Sequence, residues 1–279
     1  MQTQTGDMIV ANLSWLSEVE LISIHLPKTA GTTFGRIVLP QIYPHEQILY
    51  DNHSLPIETL IKQGKLTTKI RAIHGHFPAK KYQEYGPTAK MVIWLRNPIL
   101  LLISAYYFLK SNNQVFFDEN HRYVVENQLS FSDFIKQPFI DNSASKYFAD
   151  EIKLTDFYFV GIQEFFIDDL NDLKKMLGWP TLKVSVANQN FHEDYQTKVM
   201  DILNNQSLVK KIVAIQSADM KLYQKALSLR YQRKGLSNYL EMYQLSLQES
   251  QARLGFNSFQ APKLTQRIGL GSERGVNPP

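Results

Sequence analysis

The segment LISIHLPKTAGTTFGRIV, residues 21–38, places a lysine between a strand-like run and a glycine-containing turn. A strand, a turn and a helix N-terminus together bind anions, because unpaired backbone N–H groups and the positive end of the helix dipole converge there. The loop that binds nucleoside triphosphates reads G-x-x-x-x-G-K-[ST], with its lysine after the glycines. Here Lys28 precedes Gly31, the only nearby glycine. The sequence therefore predicts a phosphate-binding loop of another kind.

Polar side chains also follow two later apolar runs. His74 and His76 come at the end of KIRAIHGHF, and Arg96 and Asn97 follow AKMVIWL. Ser104 comes seven positions after Asn97, about two helical turns, so it lies on the same face of a helix and can share an anion with the arginine. Ligands of open α/β sheets lie beyond the carboxyl ends of the strands. These residues and the lysine loop are therefore predicted to converge on one edge of a sheet.

Alternating strand and helix patterns predict the elements that carry these residues. Strands are predicted at 19–26, 69–77, 89–96 and within 156–165, a short helix after the loop, and helices at 98–109, 167–178 and 207–233. The near-continuous apolar run at 89–96 is typical of a parallel strand buried on both faces. The pattern predicts a three-layer α/β fold with a central, mainly parallel sheet flanked by helices. We expect one domain over 1–245, with an insertion or lid at about 111–150, and a C-terminal extension or tail over 246–279.

The composition restricts the classes of function. Among 279 residues, 44% are hydrophobic and the formal net charge is +4, a mild bias toward anionic ligands without the clustered basic stripe of a nucleic-acid-binding protein. The chain has no cysteine, so disulfides, thiolate zinc sites and a cysteine nucleophile are excluded. No run approaches the roughly 20 apolar residues that span a bilayer. We expect a soluble, cytoplasmic protein without a membrane span or a nucleic-acid partner; the sequence leaves the oligomeric state open.

Two of these segments resemble nucleotide signatures of a known enzyme family. PKTAGTTF at 27–34 and RNPILLLISAYYF at 96–108 are similar to the signatures of sulfotransferases that use 3′-phosphoadenosine 5′-phosphosulfate (PAPS). HGHF at 74–77 resembles the segment with the catalytic histidine in the heparan sulfate 2-O-sulfotransferase branch, a carbohydrate-modifying branch. The second signature more usually has aspartate where this chain has Asn97. The resemblance implies the P-loop-like sulfotransferase fold with PAPS as the donor.

The resemblance also implies roles for individual residues. The 5′-phosphosulfate would be held by the first signature and the 3′-phosphate by the second. The residues implied are Lys28, Thr29, Ala30, Gly31, Thr32 and Thr33 in the first, and Arg96 and Ser104 in the second. The acceptor would be a hydroxyl-bearing molecule, namely a carbohydrate or a glycosylated small molecule.

Elementary chemistry agrees with such a donor. Sulfuryl transfer needs positioning and neutralisation of the leaving phosphate, which Lys28 can supply. A histidine with a pKa near 6.5 suits removal of the acceptor proton. We favour His76 as the base and His74 as a residue that positions the acceptor. His25 is interpreted as a core histidine, residues 106–108 as core aromatics, and Glu164 either orders the site or is a surface charge. No metal-ligand cluster is visible in the sequence, and no metal is expected.

Two other classes of function remain open on the sequence. A P-loop kinase-like enzyme would need ATP and Mg²⁺, and the missing G-K-[ST] order argues against it. A non-catalytic module that binds nucleotides or polyanions would keep the fold without the chemistry. The presence of both histidines in HGHF argues against that module.

Overall fold

The computed structural model describes residues 18–52, 55–82, 88–111, 118–140, 144–148, 152–184 and 194–235. Its centre is a five-stranded sheet. The strands are β1 (Leu21–Ile24), β2 (Ile48–Asp51), β3 (Ala72–Gly75), β4 (Lys90–Leu95) and β5 (Phe159–Ile162). They lie in the order β2-β3-β1-β4-β5, and all four adjacent pairs are parallel. The predicted α/β fold with a central parallel sheet flanked by helices is confirmed.

Helical segments connect the strands. The α-helices are α1 (Gly31–Thr33), α2 (Ile57–Lys62), α3 (Pro98–Ser111), α4 (Glu119–Glu126), α5 (Phe131–Phe134), α6 (Phe166–Leu177), α7 (Tyr195–Asn204), α8 (Gln206–Ile215) and α9 (Ser217–Arg233). Helix α1 continues directly into a π-helical segment, Phe34–Val38. Short 3-10 turns lie at Leu39–Gln41, His45–Gln47, Ala79–Tyr82, Pro138–Ile140, Ser145–Tyr147, Leu154–Asp156 and Gln163–Phe165.

Each face of the sheet packs against its own apolar core. Alternate strand residues such as Ile22 and Ile93 lie in one core, together with side chains from α2 and α9. Residues one position out of register, such as Leu21 and Trp94, lie in the other core with the π-helical segment and α6. Burial of both faces explains why β4 is apolar almost throughout, as in other parallel sheets. The sheet is therefore the middle of three layers.

Local signals in the sequence set the ends of two helices. The Asn97 side chain accepts hydrogen bonds from the backbone of Ile99 at 3.0 Å and of Leu100 at 3.4 Å, and Pro98 is the first residue of α3. Helix α6 ends at Gly178, whose φ of 67° is the left-handed conformation that glycine adopts without strain. Both boundaries are as the sequence predicts.

The structure differs from the prediction at two places. The single helix predicted over 207–233 is wrong, because helices α8 and α9 are separated at Gln216. The buried Gln216 side chain donates to the Ile140 carbonyl oxygen at 2.8 Å, a tertiary contact that local propensity does not encode. The edge strand β2 was not predicted. The extension at 246–279 and part of the 111–150 insertion lie outside the described residues.

The strand order creates a crevice between β1 and β4. After β1 the chain passes the position of β3 and forms β2 at one edge of the sheet. After β4 it continues in the opposite direction and forms β5 at the other edge. Ligands of open α/β sheets bind where neighbouring strands send their connections in opposite directions. The lysine loop and the Arg96 segment leave the two strands that border this crevice.

Candidate anion-binding site

The loop after β1 contains two residues in the left-handed region. Lys28 has a φ of 64° and Ala30 a φ of 68°, and among the described residues Gln128 is the only other non-glycine residue with a positive φ. This conformation costs an L-residue about 1–2 kcal/mol. The loop is held partly by Thr29, whose buried hydroxyl donates to the Leu26 carbonyl oxygen at 2.8 Å. Turns with interspersed left-handed residues present their N–H groups to anions.

Arg96 joins the two sides of the crevice. Its Nη1 donates to the carbonyl oxygen of Lys28 at 3.1 Å, so the end of β4 holds the loop that follows β1. Two cationic residues from different strands are thereby brought to one place. The convergence of the lysine loop with Arg96 is what the strand pattern predicts.

Lys28 and Arg96 form no ion pair with a carboxylate among the described residues. Within the part of the chain that the structure describes, no carboxylate oxygen lies within 4.0 Å of Lys28 Nζ or of the Arg96 guanidinium. Lys28 Nζ lies 3.9 Å from the centre of the Phe108 ring, and the buried Nε of Arg96 makes no hydrogen bond. Burial, followed by the charge of Arg96, lowers the pKa of Lys28 to about 8. Two partly buried cations that form no ion pair among the described residues favour an anion at this place, although Glu164 lies near enough to Arg96 for their charges to interact.

Glu164 supports the start of α3. It follows β5, is almost fully buried, and accepts a hydrogen bond from the backbone of Asn97 at 3.0 Å. The Tyr223 hydroxyl of α9 donates to the other carboxylate oxygen at 3.4 Å. Burial raises the pKa of Glu164, and the nearby Arg96 opposes that shift. Of the two roles considered from the sequence, ordering of the site is the one that this environment supports.

The hydroxyl residues of the two signatures differ in their surroundings. Thr32 is half-buried in the first turn of α1, whereas Thr33 is buried. Ser104 is also buried, two turns into α3. Its hydroxyl makes no direct hydrogen bond to Arg96 within the described ranges.

Three histidine rings form a stack beside the loop. The ring centre of His25 lies 4.1 Å from that of His76 and 5.2 Å from that of His74, with interplanar angles of 26° and 21°. Burial and the neighbouring His74, His76 and Lys28 lower the pKa of His25 to about 2. Burial, followed by the charge of His76, lowers the pKa of His74 to about 3. Both residues are neutral at neutral pH.

His74 and His76 have different environments within this stack. His74 is buried, its Nδ1 lies 2.9 Å from the Ser23 hydroxyl, and its ring also hydrogen-bonds the backbone of Gly31. His76 is only partly buried, and its ring hydrogen-bonds the backbone of His25. Burial lowers the pKa of His76. The bond to the backbone of His25 opposes part of that shift, as a bond from a ring N–H to a carbonyl does. The structure thus puts His74 beneath the loop and leaves His76 nearer to solvent.

Two glycines allow the histidine rings to approach the loop. A Cβ on Gly31 would lie 1.8 Å from Cδ2 of His25, and a Cβ on Gly35 would lie 2.4 Å from the His74 ring. Gly35 is in the π-helical segment, and its carbonyl oxygen accepts a hydrogen bond from the Tyr50 hydroxyl at 2.8 Å. Single π turns are frequent at functional sites. Here the segment brings backbone atoms against an imidazole ring.

Two site residues were interpreted from the sequence as core residues. His25 lies between the two other histidines, and Phe108 contacts the ammonium group of Lys28. The apolar setting of both residues concealed these contacts. For His25 a signal did exist, since a histidine and a glycine six positions apart flank the lysine loop.

Comparisons with known proteins give distant structural likenesses. No protein-family model and no curated protein matches the chain. Among solved structures, mouse sulfotransferase SULT7A1 complexed with PAP is 15% identical, covers 70% of this chain and 68% of its own, and has a TM-score of 0.33. A sulfotransferase from Alicyclobacillus acidocaldarius is 17% identical, covers 75% and 91%, and has a TM-score of 0.31. These likenesses are too distant to identify a function, which is inferred below from the residues of the site.

Among the described residues, no group of three or more His, Asp or Glu side chains is arranged to hold a metal ion. No helix in those same ranges is long and apolar enough to cross a membrane.

Proposed function

We propose that this protein is a PAPS-dependent sulfotransferase that modifies a hydroxyl of a carbohydrate or of a glycosylated small molecule. The observation that carries the proposal is the pair of partly buried cations Lys28 and Arg96 at the crevice between β1 and β4, which form no ion pair within 4.0 Å among the described residues. One belongs to a strained loop at a helix N-terminus and the other precedes a second helix N-terminus, so two anionic groups of one ligand can be held. A nucleotide with separate 3′- and 5′-phosphates has that charge distribution.

The residues that would hold the nucleotide divide between these two helix starts. Lys28 and the backbone from Thr29 to Thr33 suit the 5′-phosphosulfate. Arg96 and Ser104 suit the 3′-phosphate, with Asn97 and Glu164 fixing the turn that carries the arginine. Bound PAPS would supply the sulfuryl group.

The chain's own residues divide the remaining chemistry. His76, neutral at neutral pH and nearer to solvent than His74, accepts the proton of the acceptor hydroxyl as its oxygen forms the new bond to sulfur. PAP would be the leaving group, and the Lys28 ammonium would neutralise the negative charge that remains on its 5′-phosphate oxygen. His74 positions the loop from below, since its ring is hydrogen-bonded inside the protein to Ser23 and to the backbone of Gly31.

The donor is tested by binding. Adenosine 3′,5′-bisphosphate (PAP) should bind far more tightly than AMP or ATP in calorimetry at fixed salt concentration, because only PAP engages both helix starts. Equal affinity for PAP and AMP would overturn the assignment of Arg96 and Ser104. Preference for ATP with Mg²⁺ would favour the kinase-like alternative.

The reaction is tested by sulfate transfer from PAPS to a panel of sugar hydroxyls. His76→Ala should lower turnover by about 10² or more while PAP affinity stays nearly unchanged, because a general base does not contact the nucleotide. His74→Ala should have the smaller effect on turnover. If only His74→Ala is inactive, the base is His74; if both variants stay active, the base lies elsewhere. Tight PAP binding without transfer to any acceptor would favour the non-catalytic module.

A further inference from the structure

We propose that His25 is a positioning residue that couples the orientation of the His76 ring to the conformation of the anion-binding loop. The inference deepens the proposed function and rests on it, because it concerns the residue proposed there as the base. His25 was interpreted as a core histidine from the sequence. Its contacts on both sides give it a more specific role.

On one side, His25 is fixed against the segment that carries the base. It follows β1 directly, and its backbone N–H donates to the Gly75 carbonyl oxygen at 2.8 Å, which extends the pairing of β1 with β3. Its ring stacks on that of His76 at 4.1 Å, and its backbone hydrogen-bonds the same ring. A ring N–H bonded to a carbonyl fixes the tautomer of an imidazole and leaves the other nitrogen as the acceptor. His25 therefore orients His76 through both its backbone and its ring.

On the other side, the His25 ring fills the space above Gly31. An added Cβ there would lie 1.8 Å from Cδ2 and 2.3 Å from Cγ of His25, far inside contact distance. Gly31 is helical and does not have a positive φ, so its backbone conformation does not require glycine. The space that His25 occupies is what excludes a side chain. A shift of the loop at Gly31 thus displaces His25, and His25 contacts His76.

The charge state of His25 suits this role. When His76 takes a proton it becomes a cation, and a second cation 4.1 Å away would oppose the step. His25 is kept neutral by its burial and by His74, His76 and Lys28 around it. It stays neutral while His76 changes charge, so it can hold the ring in both protonation states.

A double-mutant cycle on His25 and Gly31 tests the contact with the loop. Gly31→Ala should weaken PAP binding, because the new methyl group pushes the His25 ring and the loop apart. In the His25→Ala background the same change should be tolerated, with a coupling of about threefold to a hundredfold in PAP affinity. Losses that add independently would overturn the coupling. His45→Ala with Gly31→Ala is the matched control, since His45 is exposed and outside the stack, and no rescue is expected.

The contact with His76 is tested by NMR titration of its ring. His25→Ala should open one face of His76 to water, which moves the pKa of His76 toward 6.5 and shifts the acid limb of the pH profile of turnover. His25→Phe keeps a stacked ring and should retain the wild-type titration. An unchanged His76 titration in His25→Ala would overturn the proposal. If His25→Ala does not fold, Gly31→Ala provides the same test by displacing the ring, and an unchanged titration there has the same meaning.

These measurements separate the two proposals, because the titration and PAP binding require no transfer. If the wild type transfers no sulfate but the His76 titration depends on residue 25, the proposed function is wrong and the coupling stands. If the wild type transfers sulfate and neither the titration nor the pH profile depends on residue 25, the coupling is wrong and the function stands.

Discussion

Two regions of the described structure hold partly or fully buried cations, and they differ in how those cations are paired with carboxylates. Helices α6 and α9 are joined by an ion-pair network. Its members are Asp168, Asp169 and Asp172 on α6, and Arg230, Arg233 and Lys234 at the end of α9 and just beyond it. Arg230 contacts two of these carboxylates, Asp169 at 2.7 Å and Asp168 at 2.5 Å. In the crevice between β1 and β4, Lys28 and Arg96 contact an aromatic ring and a carbonyl oxygen instead.

The difference predicts which charges contribute to folding stability and which contribute to the proposed nucleotide binding. A buried charge needs a partner, and loss of one member of a buried pair is strongly destabilising. The α6–α9 network pairs its cations with carboxylates of the chain, so removal of one partner should lower the stability of the fold. Within the described residues, Lys28 and Arg96 of the crevice form no ion pair, and the proposed function assigns their charges to a bound nucleotide. Removal of either charge should therefore weaken nucleotide binding and leave the free energy of unfolding nearly unchanged.

The largest effect should come from breaking the network at Asp169. This carboxylate is fully buried and also accepts a hydrogen bond from the backbone of Ile162 at 2.8 Å. Asp169→Ala leaves Arg230 buried without its main partner and should lower the free energy of unfolding by about 3–5 kcal/mol. Urea denaturation measures this change, and PAP affinity of the folded variant should stay near that of wild type. The control is Asp201→Ala, which removes an exposed carboxylate. Loss of PAP affinity without loss of stability in Asp169→Ala would contradict the comparison.

The opposite pattern is expected for the cations of the crevice. Lys28→Ala and Arg96→Ala should each weaken PAP binding by about tenfold to a hundredfold, since charge-assisted hydrogen bonds contribute about 1.5–3 kcal/mol. Lys28→Ala should not lower stability, because folding moves the pKa of the lysine from 10.5 to about 8 and so disfavours its charged form. Calorimetry and denaturation of the same samples give both quantities. Stability that falls while PAP affinity is kept would show that these cations are structural.

The pH dependence of binding should report Lys28 directly. In the free protein the pKa of Lys28 is about 8, and a bound phosphate favours the charged form. Below about pH 8 the lysine is already protonated, and above it each binding event must take up a proton. PAP affinity should therefore fall by about tenfold per pH unit above pH 8. Calorimetry in buffers of different ionisation enthalpy measures the proton uptake, and Lys28→Ala should abolish it. A flat profile in the wild type would place another group at the phosphate.

The smallest effect is expected at the rim of the network. Lys234 is 22% exposed and lies 2.9 Å from Asp168 and 2.8 Å from Asp172. Solvent screens such pairs, so Lys234→Ala should lower the free energy of unfolding by about 1 kcal/mol or less. PAP affinity should not change. A loss as large as that of Asp169→Ala would mean that pairing at the rim, and not burial, determines the strength of the network.

Features set by nearby residues could be predicted from the sequence. The apolar runs of β1 and β4, the Asn97 cap with Pro98, and Gly178 after α6 all depend on a few neighbouring positions. The convergence of Lys28 with Arg96 followed from parallel strands ending at one edge. Whether each of these residues binds a nucleotide stays a prediction.

Features set by distant contacts could not be predicted. Strand β2 lies at the edge of the sheet and is defined by its pairing with β3. The break at Gln216 depends on a hydrogen bond to Ile140, and glutamine is otherwise a good helix former. The stack around His25 depends on the register of β1 against β3, in which Ser23 lies beside His74. No pattern along the chain contains that register.

The bond between Tyr223 and Glu164 has a consequence for the order of folding during synthesis. It joins residues 59 positions apart, and the Arg230–Asp169 pair that docks the same helix spans 61. Contacts of such long range form late, because the chain between them must first be ordered. On a ribosome, the lysine loop and the five strands emerge before α9 does, and the glutamate under Asn97 then still lacks its tyrosine partner. The support beneath the turn that carries Arg96 is thus completed only after α9, the last described helix, has been synthesised and has docked.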